Sequence, residues 1–85
     1  MAQTHKVDIQ GMKFNPASVT IAKGDTVEWT NLMGMAHTVA PDNDEFPGSG
    51  PLGLNKTFSH LFYDAGTVAY HCEIHPFMTG EVVVT

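Results

Sequence analysis

Short alternating segments, separated by turn-forming residues, are the feature that most limits how this chain can fold. Apolar and polar residues alternate, for example, in 6–10 and 26–30, and glycine, proline, asparagine or aspartate interrupt the pattern. A period of two is typical of strands with one buried face. Seven such segments can be recognised, over residues 6–10, 18–21, 26–30, 37–39, 57–59, 67–70 and 81–84. They predict an all-β fold, a small antiparallel Greek-key β-sandwich.

The length of the chain limits it to one compact unit. Its 85 residues predict a single domain over residues 1–85. A domain of this size has a modest core, and small domains often rely on disulfides or a metal for stability. Cys72 is the single cysteine, so an internal disulfide is excluded. A metal is therefore the stabilising group to look for.

Charge and hydropathy exclude several kinds of partner. Nine acidic residues face four lysines and no arginine, giving a formal net charge of −5. This balance argues against nucleic acid and anionic membrane surfaces. The sequence has no run of 18 apolar residues, so we expect no membrane-spanning segment within it. Residues 1–5 lead directly into strand-like sequence, so we expect no signal peptide within it either. If the protein is exported, its leader or anchor is expected to lie outside this chain.

A thiol, an imidazole and a thioether recur at intervals of three residues near the C-terminus. Cys72, His75 and Met78 lie in a loop that follows a predicted strand, and the alternation places Cys72 on the inward face. A lone cysteine or methionine is usually core packing. Three donors at this spacing in one loop instead match the thiolate, imidazole and weak thioether of a copper site.

A second imidazole is needed to complete this donor set, and four histidines are candidates. His71 is adjacent to Cys72 in a strand and faces away from it, whereas His5 lies near a terminus. His60 has no loop setting. His37 follows a glycine-containing loop at the start of a short predicted strand, so it is our prediction for the remaining ligand.

Other chemistries fit the same residues less well. Zinc is disfavoured because methionine is a poor zinc ligand and one cysteine with two histidines lacks the usual fourth partner. A cysteine nucleophile activated by histidine would need an orienting residue and an oxyanion donor, and the sequence identifies neither.

The ligand loop resembles that of the cupredoxins, and its Cys-x-x-His-x-x-Met spacing is similar to the amicyanin branch of the amicyanin and plastocyanin family. Residues 17–31 resemble the strand pair before the first histidine ligand, and 66–72 and 80–84 resemble the strands that frame the loop. The resemblance implies one blue (type 1) copper per chain, shuttling single electrons as Cu(II)/Cu(I), without enzymatic activity. It also implies a periplasmic or other extracytoplasmic location.

Two residues depart from the family pattern. Relatives usually carry asparagine after the first histidine, where it ties the two ligand loops together; this chain has Thr38, whose hydroxyl is the candidate replacement. Loops of the amicyanin type tend to carry proline where this chain has Ile74. We therefore expect the Ile74 amide to donate a hydrogen bond to the Cys72 sulfur.

The resemblance also implies how partners dock. The expected partners are redox proteins, a cytochrome or a redox enzyme, that bind a monomer transiently at an apolar patch around His75. Acidic residues in the proline- and glycine-rich segment 41–53 offer a second surface, which we call the acidic loop (Asp42, Asp44 and Glu45). It is either a steering surface for basic partners or a solvated loop.

A copper carrier or store, or one domain of a multicopper enzyme, remains an alternative function.

Overall fold

Eight strands and no helix make up the computed structural model, which describes residues 2–85. The strands are β1 (Thr4–Gln10), β2 (Lys13–Asn15), β3 (Ser18–Ile21), β4 (Thr26–Asn31), β5 (Ala40–Pro41), β6 (Thr57–Leu61), β7 (Gly66–His71) and β8 (Thr79–Val84). They form two four-stranded sheets, in the orders β2-β1-β4-β6 and β3-β8-β7-β5. The predicted all-β sandwich is therefore confirmed.

Each sheet combines antiparallel pairs with one parallel pair. β1 runs parallel to β4, and β3 runs parallel to β8, while the other neighbours are antiparallel. The chain passes from the first sheet to the second between β2 and β3 and returns at β4, so sequence neighbours are often not sheet neighbours. No helix of residues 2–85 is long and apolar enough to cross a membrane.

Alternating side chains from both sheets fill the space between them. Trp29 lies at the centre, with its ring centroid 5.3 Å from that of Tyr70 and 5.8 Å from that of Phe58. The fully buried members of this core include valine and isoleucine from β1, β4 and β8, as the alternation predicts: Val7, Ile9, Val27 and Val82.

The segment before β5 differs from the sequence prediction. A strand was expected over residues 37–39, but His37 makes only an isolated bridge to Leu52. The Val39 N–H donates to the Ser49 hydroxyl, and its carbonyl accepts from the Ser49 N–H. The predicted strand is wrong because the long loop that follows folds back and takes these hydrogen bonds. That loop is anchored by Phe46, which is buried.

Candidate metal centre

The end of β7 sets the direction of the Cys72 side chain. Cys72 directly follows β7, and alternation from Tyr70 points both side chains inward, with neither exposed to solvent. His71 points the other way, and its Nδ1 lies 2.6 Å from Asp42 Oδ1 on the surface. The predicted inward orientation of Cys72 and outward orientation of His71 are confirmed.

A tight turn brings the rest of the loop back towards the sulfur. The Met78 N–H donates to the His75 carbonyl, and the Cys72 N–H donates to the Met78 carbonyl at 3.0 Å. These bonds close the loop between β7 and β8, so the spacing of three residues places His75 beside Cys72. Met78 is 2% exposed and belongs to the buried core.

Three donor atoms converge in this place. His37 Nδ1 and His75 Nδ1 each lie 3.8 Å from Cys72 Sγ, and the three donor atoms lie within 4.8 Å of one another. A sulfur and an imidazole nitrogen that share one ion, at bond lengths of about 2.3 and 2.0 Å and an angle of about 120°, lie roughly 3.8 Å apart. The two sulfur–nitrogen distances therefore fit a metal ion shared by Cys72 with each histidine, and one thiolate with two imidazoles suits copper.

Burial prepares His37 for this role. The side chain has no exposed surface, and desolvation, followed by the proximity of His75, lowers its pKa. The imidazole is therefore neutral at pH 7, with a lone pair that can bind a metal. Its other nitrogen, Nε2, is buried without a hydrogen-bond partner among residues 2–85.

Two groups of Thr38 tie the loops together. Its hydroxyl accepts a hydrogen bond from the Glu73 N–H at 2.8 Å, so the expected replacement for the family's asparagine is present. Its own N–H donates to Cys72 Sγ at 3.4 Å. The expected hydrogen bond from the Ile74 amide to the Cys72 sulfur is wrong. Within the described part of the chain, the Thr38 amide is the backbone donor to that sulfur. The sequence could not show this, because the two loops are more than 30 residues apart.

Asn31 organises the loop before His37, a role that was not predicted from the sequence. Its side-chain amide donates to the Met35 and Leu52 carbonyls at 3.0 and 2.8 Å, and its carbonyl oxygen accepts from the Met33 N–H. The available signal was the alternation of β4, because Asn31 continues the inward face of Val27 and Trp29. A polar residue on that face must find buried partners.

The remaining histidines lie elsewhere. His5 Nε2 lies 2.9 Å from the Asp25 carboxylate in the opposite part of the first sheet. His60, in β6, stacks on Phe46 with ring centroids 5.0 Å apart. The structure brings together His37, Cys72 and His75 but neither of these two.

Known proteins resemble this chain in sequence and in fold. The family of copper binding proteins described as plastocyanin/azurin matches residues 1–85. Amicyanin of Paracoccus denitrificans is 42% identical over 82 residues, which are 92% of this chain and 63% of that protein. Plastocyanin of Scenedesmus fuscus is 37% identical over 80% of each chain.

Solved structures give the same answer for the fold. An amicyanin variant in its Cu(I) form superposes with a TM-score of 0.89 at 33% identity, covering 96% of this chain and 82% of that one. The predicted copper cofactor and cupredoxin-like sandwich are thus confirmed, and the chain belongs to the plastocyanin/azurin family of copper binding proteins.

Proposed function

We propose that this protein is a type 1 copper electron carrier, with His37, Cys72, His75 and Met78 as its ligands. The convergence of one thiol and two imidazoles in a buried pocket carries this proposal. Bound copper would supply a one-electron Cu(II)/Cu(I) couple. Single-electron transfer, rather than catalysis, suits a site whose donors come entirely from the protein.

The protein's own contribution is to hold the donors and exclude water. His37, Cys72 and Met78 are buried, so solvent has little access to three of the four proposed ligands. The Thr38 hydrogen bonds to Cys72 and Glu73 fix the two loops relative to each other. Donors that are fixed before the metal changes its charge move little, which favours fast electron exchange.

His75 is the proposed exit for the electron, because its ring is partly exposed while the other donors are buried. Its ring centroid lies 6.2 Å from that of Phe77, which is 70% exposed. Ile74 and Met35, each about half exposed, add apolar surface to the loops that carry His75 and His37. A small apolar patch around an exposed ligand suits transient docking of a redox partner to a monomer.

The acidic loop is proposed to steer basic partners. Asp44 and Glu45 line an open groove together with Glu73, which directly follows Cys72. Charges so close to the site can raise the rate of encounter with a cationic protein. Replacing the three acids of the loop with their amides should lower the association rate with a basic cytochrome at low salt and flatten its salt dependence. An unchanged salt dependence would show that the loop is merely solvated.

Absorption spectroscopy of the Cu(II) protein tests the ligand assignment. The wild type should show intense visible thiolate-to-copper charge transfer, and Cys72→Ser should abolish it. His75→Ala should weaken or shift the band, whereas His71→Ala, a matched control one residue from the thiol, should keep it. A wild-type protein that binds Cu(II) without this band would overturn the proposal.

Two alternative functions predict different results. A copper carrier or store should lose its metal readily to chelators and lack the intense band. A domain of a multicopper enzyme should need a second copper, but the spare histidines His5, His60 and His71 lie in separate places within the described structure. We therefore propose a carrier of electrons that is not an enzyme. Its extracytoplasmic, periplasmic location is part of the same proposal.

A further inference from the structure

Two methionines outside the proposed ligand set are in contact with each other. The Met12 N–H donates a hydrogen bond to Met33 Sδ at 3.5 Å, and both side chains are partly buried. Met33 lies in the loop that Asn31 fixes, so its sulfur is held in a defined place rather than free at the surface.

Met12 occupies a backbone position that disfavours a side chain. Gly11 and Met12 form the two-residue turn between β1 and β2, and both have positive φ, at 62° and 59°. Glycine and asparagine dominate such turns because a side chain is disfavoured there. Met12 nevertheless occupies the position, and its side chain packs against the edge of the core.

A cavity is shared by Met12 and the proposed ligand Met78. Met12, Phe77 and Met78 line a space of about 200 Å³. Met12 thus contacts Met33 through its N–H and lines the same cavity as Met78, the proposed thioether ligand. We call these three methionines the methionine track.

We propose that the methionine track takes up Cu(I) and passes it to the buried centre. Thioethers select Cu(I) over divalent ions, because both are soft. His37 and Cys72 are fully buried, so an incoming ion does not meet these two donors directly at the surface. The inference rests on the proposed copper function. One Cu(I) leaves its donor, binds the thioethers and then reaches Cys72, whose thiol releases a proton to water; copper stays in the same oxidation state throughout.

Loading kinetics test the track. The copper-free protein is mixed with the Cu(I) complex of bathocuproine disulfonate, and loss of the complex's absorbance is followed by stopped flow. We expect the variant with Met12→Leu and Met33→Leu to load about tenfold more slowly. This figure takes as a guide the lower end of the loss in metal affinity or activity, about 10–100-fold, that follows mutation of groups around a metal site. Met35→Leu is the matched control and should load at the wild-type rate, because Met35 lies outside the track.

Silver binding provides a second measurement that does not depend on loading. Ag(I), a soft monovalent probe, is added to the Cu(I)-loaded protein carrying ¹³C-methyl methionine. The Met12 and Met33 methyl signals should shift together while the Met35 signal stays in place. In the single variant Met33→Leu, the Met12 shift should be lost or require more silver, which keeps the test informative if the double variant is unstable.

The outcomes separate this inference from the proposed function. Equal loading rates for wild type and the double variant, with the visible band intact after oxidation, would overturn the track and leave the electron carrier standing. Equal slowing by Met35→Leu would also overturn it, since any exposed thioether would then serve. A missing band in the loaded wild type would instead refute the proposed function.

Discussion

Replacing Thr38 with valine removes one hydroxyl and keeps the shape of a buried side chain. Thr38 is 3% exposed, and its Oγ1 accepts from the Glu73 N–H at 2.8 Å, joining the loop of His37 to the loop of Cys72. In Thr38→Val the Glu73 N–H is left without its acceptor, the Thr38 hydroxyl oxygen. The variant therefore isolates the one contact that replaces the family's asparagine.

The expected loss of stability follows from that single bond. A net hydrogen bond contributes about 1 kcal/mol, and a buried donor left without an acceptor costs about 1–3 kcal/mol. Glu73 itself is exposed, so water can reach part of the loop and the lower half of this range applies. We expect a loss of about 1–2 kcal/mol. With a urea m-value of about 1 kcal/mol/M for a small protein, the unfolding midpoint should fall by roughly 1–2 M.

Urea denaturation of the copper-free protein measures this loss without a contribution from the metal. Hydrogen exchange at the Glu73 amide identifies its cause, because exchange should accelerate in Thr38→Val. Thr38→Ser is the control: it loses a methyl group and some stability but keeps the oxygen, so Glu73 should remain protected. A valine variant with a wild-type midpoint and a protected Glu73 amide would refute the reasoning.

Two further predictions concern residues outside the proposed ligand set. A Cβ at Gly80 would lie 2.5 Å from Tyr70 Cζ, so Gly80→Ala should cost about 1–3 kcal/mol by overpacking. Gly53→Ala is the control and should not lose this stability, because a Cβ at Gly53 would lie in open space. Equal thermal midpoints for the Gly80→Ala and Gly53→Ala variants would contradict the close approach of Gly80 to Tyr70. The hydrogen bond to His5 is the main cause that lowers the pKa of Asp25. The stability gained from its ionisation is therefore complete above the ordinary value of 3.8 and lost as pH falls through the lower folded value. Asp25→Asn should lower stability at pH 7 and flatten its acid dependence, and a variant as acid-sensitive as wild type would show that another group is responsible.

The sequence by itself predicted most of the strands and most of the proposed donor set. Period-two alternation located six of the strands, because each buries one face and exposes the other. Cys72, His75 and Met78 could be predicted because their relation is local: one loop of seven residues must bring them together. His37 required elimination among several histidines, since nothing local relates it to Cys72.

Only the tertiary structure decided how distant segments meet. The hydrogen bonds of Thr38 to Cys72 and Glu73 join positions about 35 residues apart, and the packing of two sheets rather than any local pattern sets them. The same holds for Asn31, whose inward side chain has partners in another loop. Local periodicity fixes which face of a strand is buried, but loop closure and sheet pairing fix what that face touches. For this reason the proposed ligands could be predicted from the chain, while the contacts of Thr38 and Asn31 around them could not.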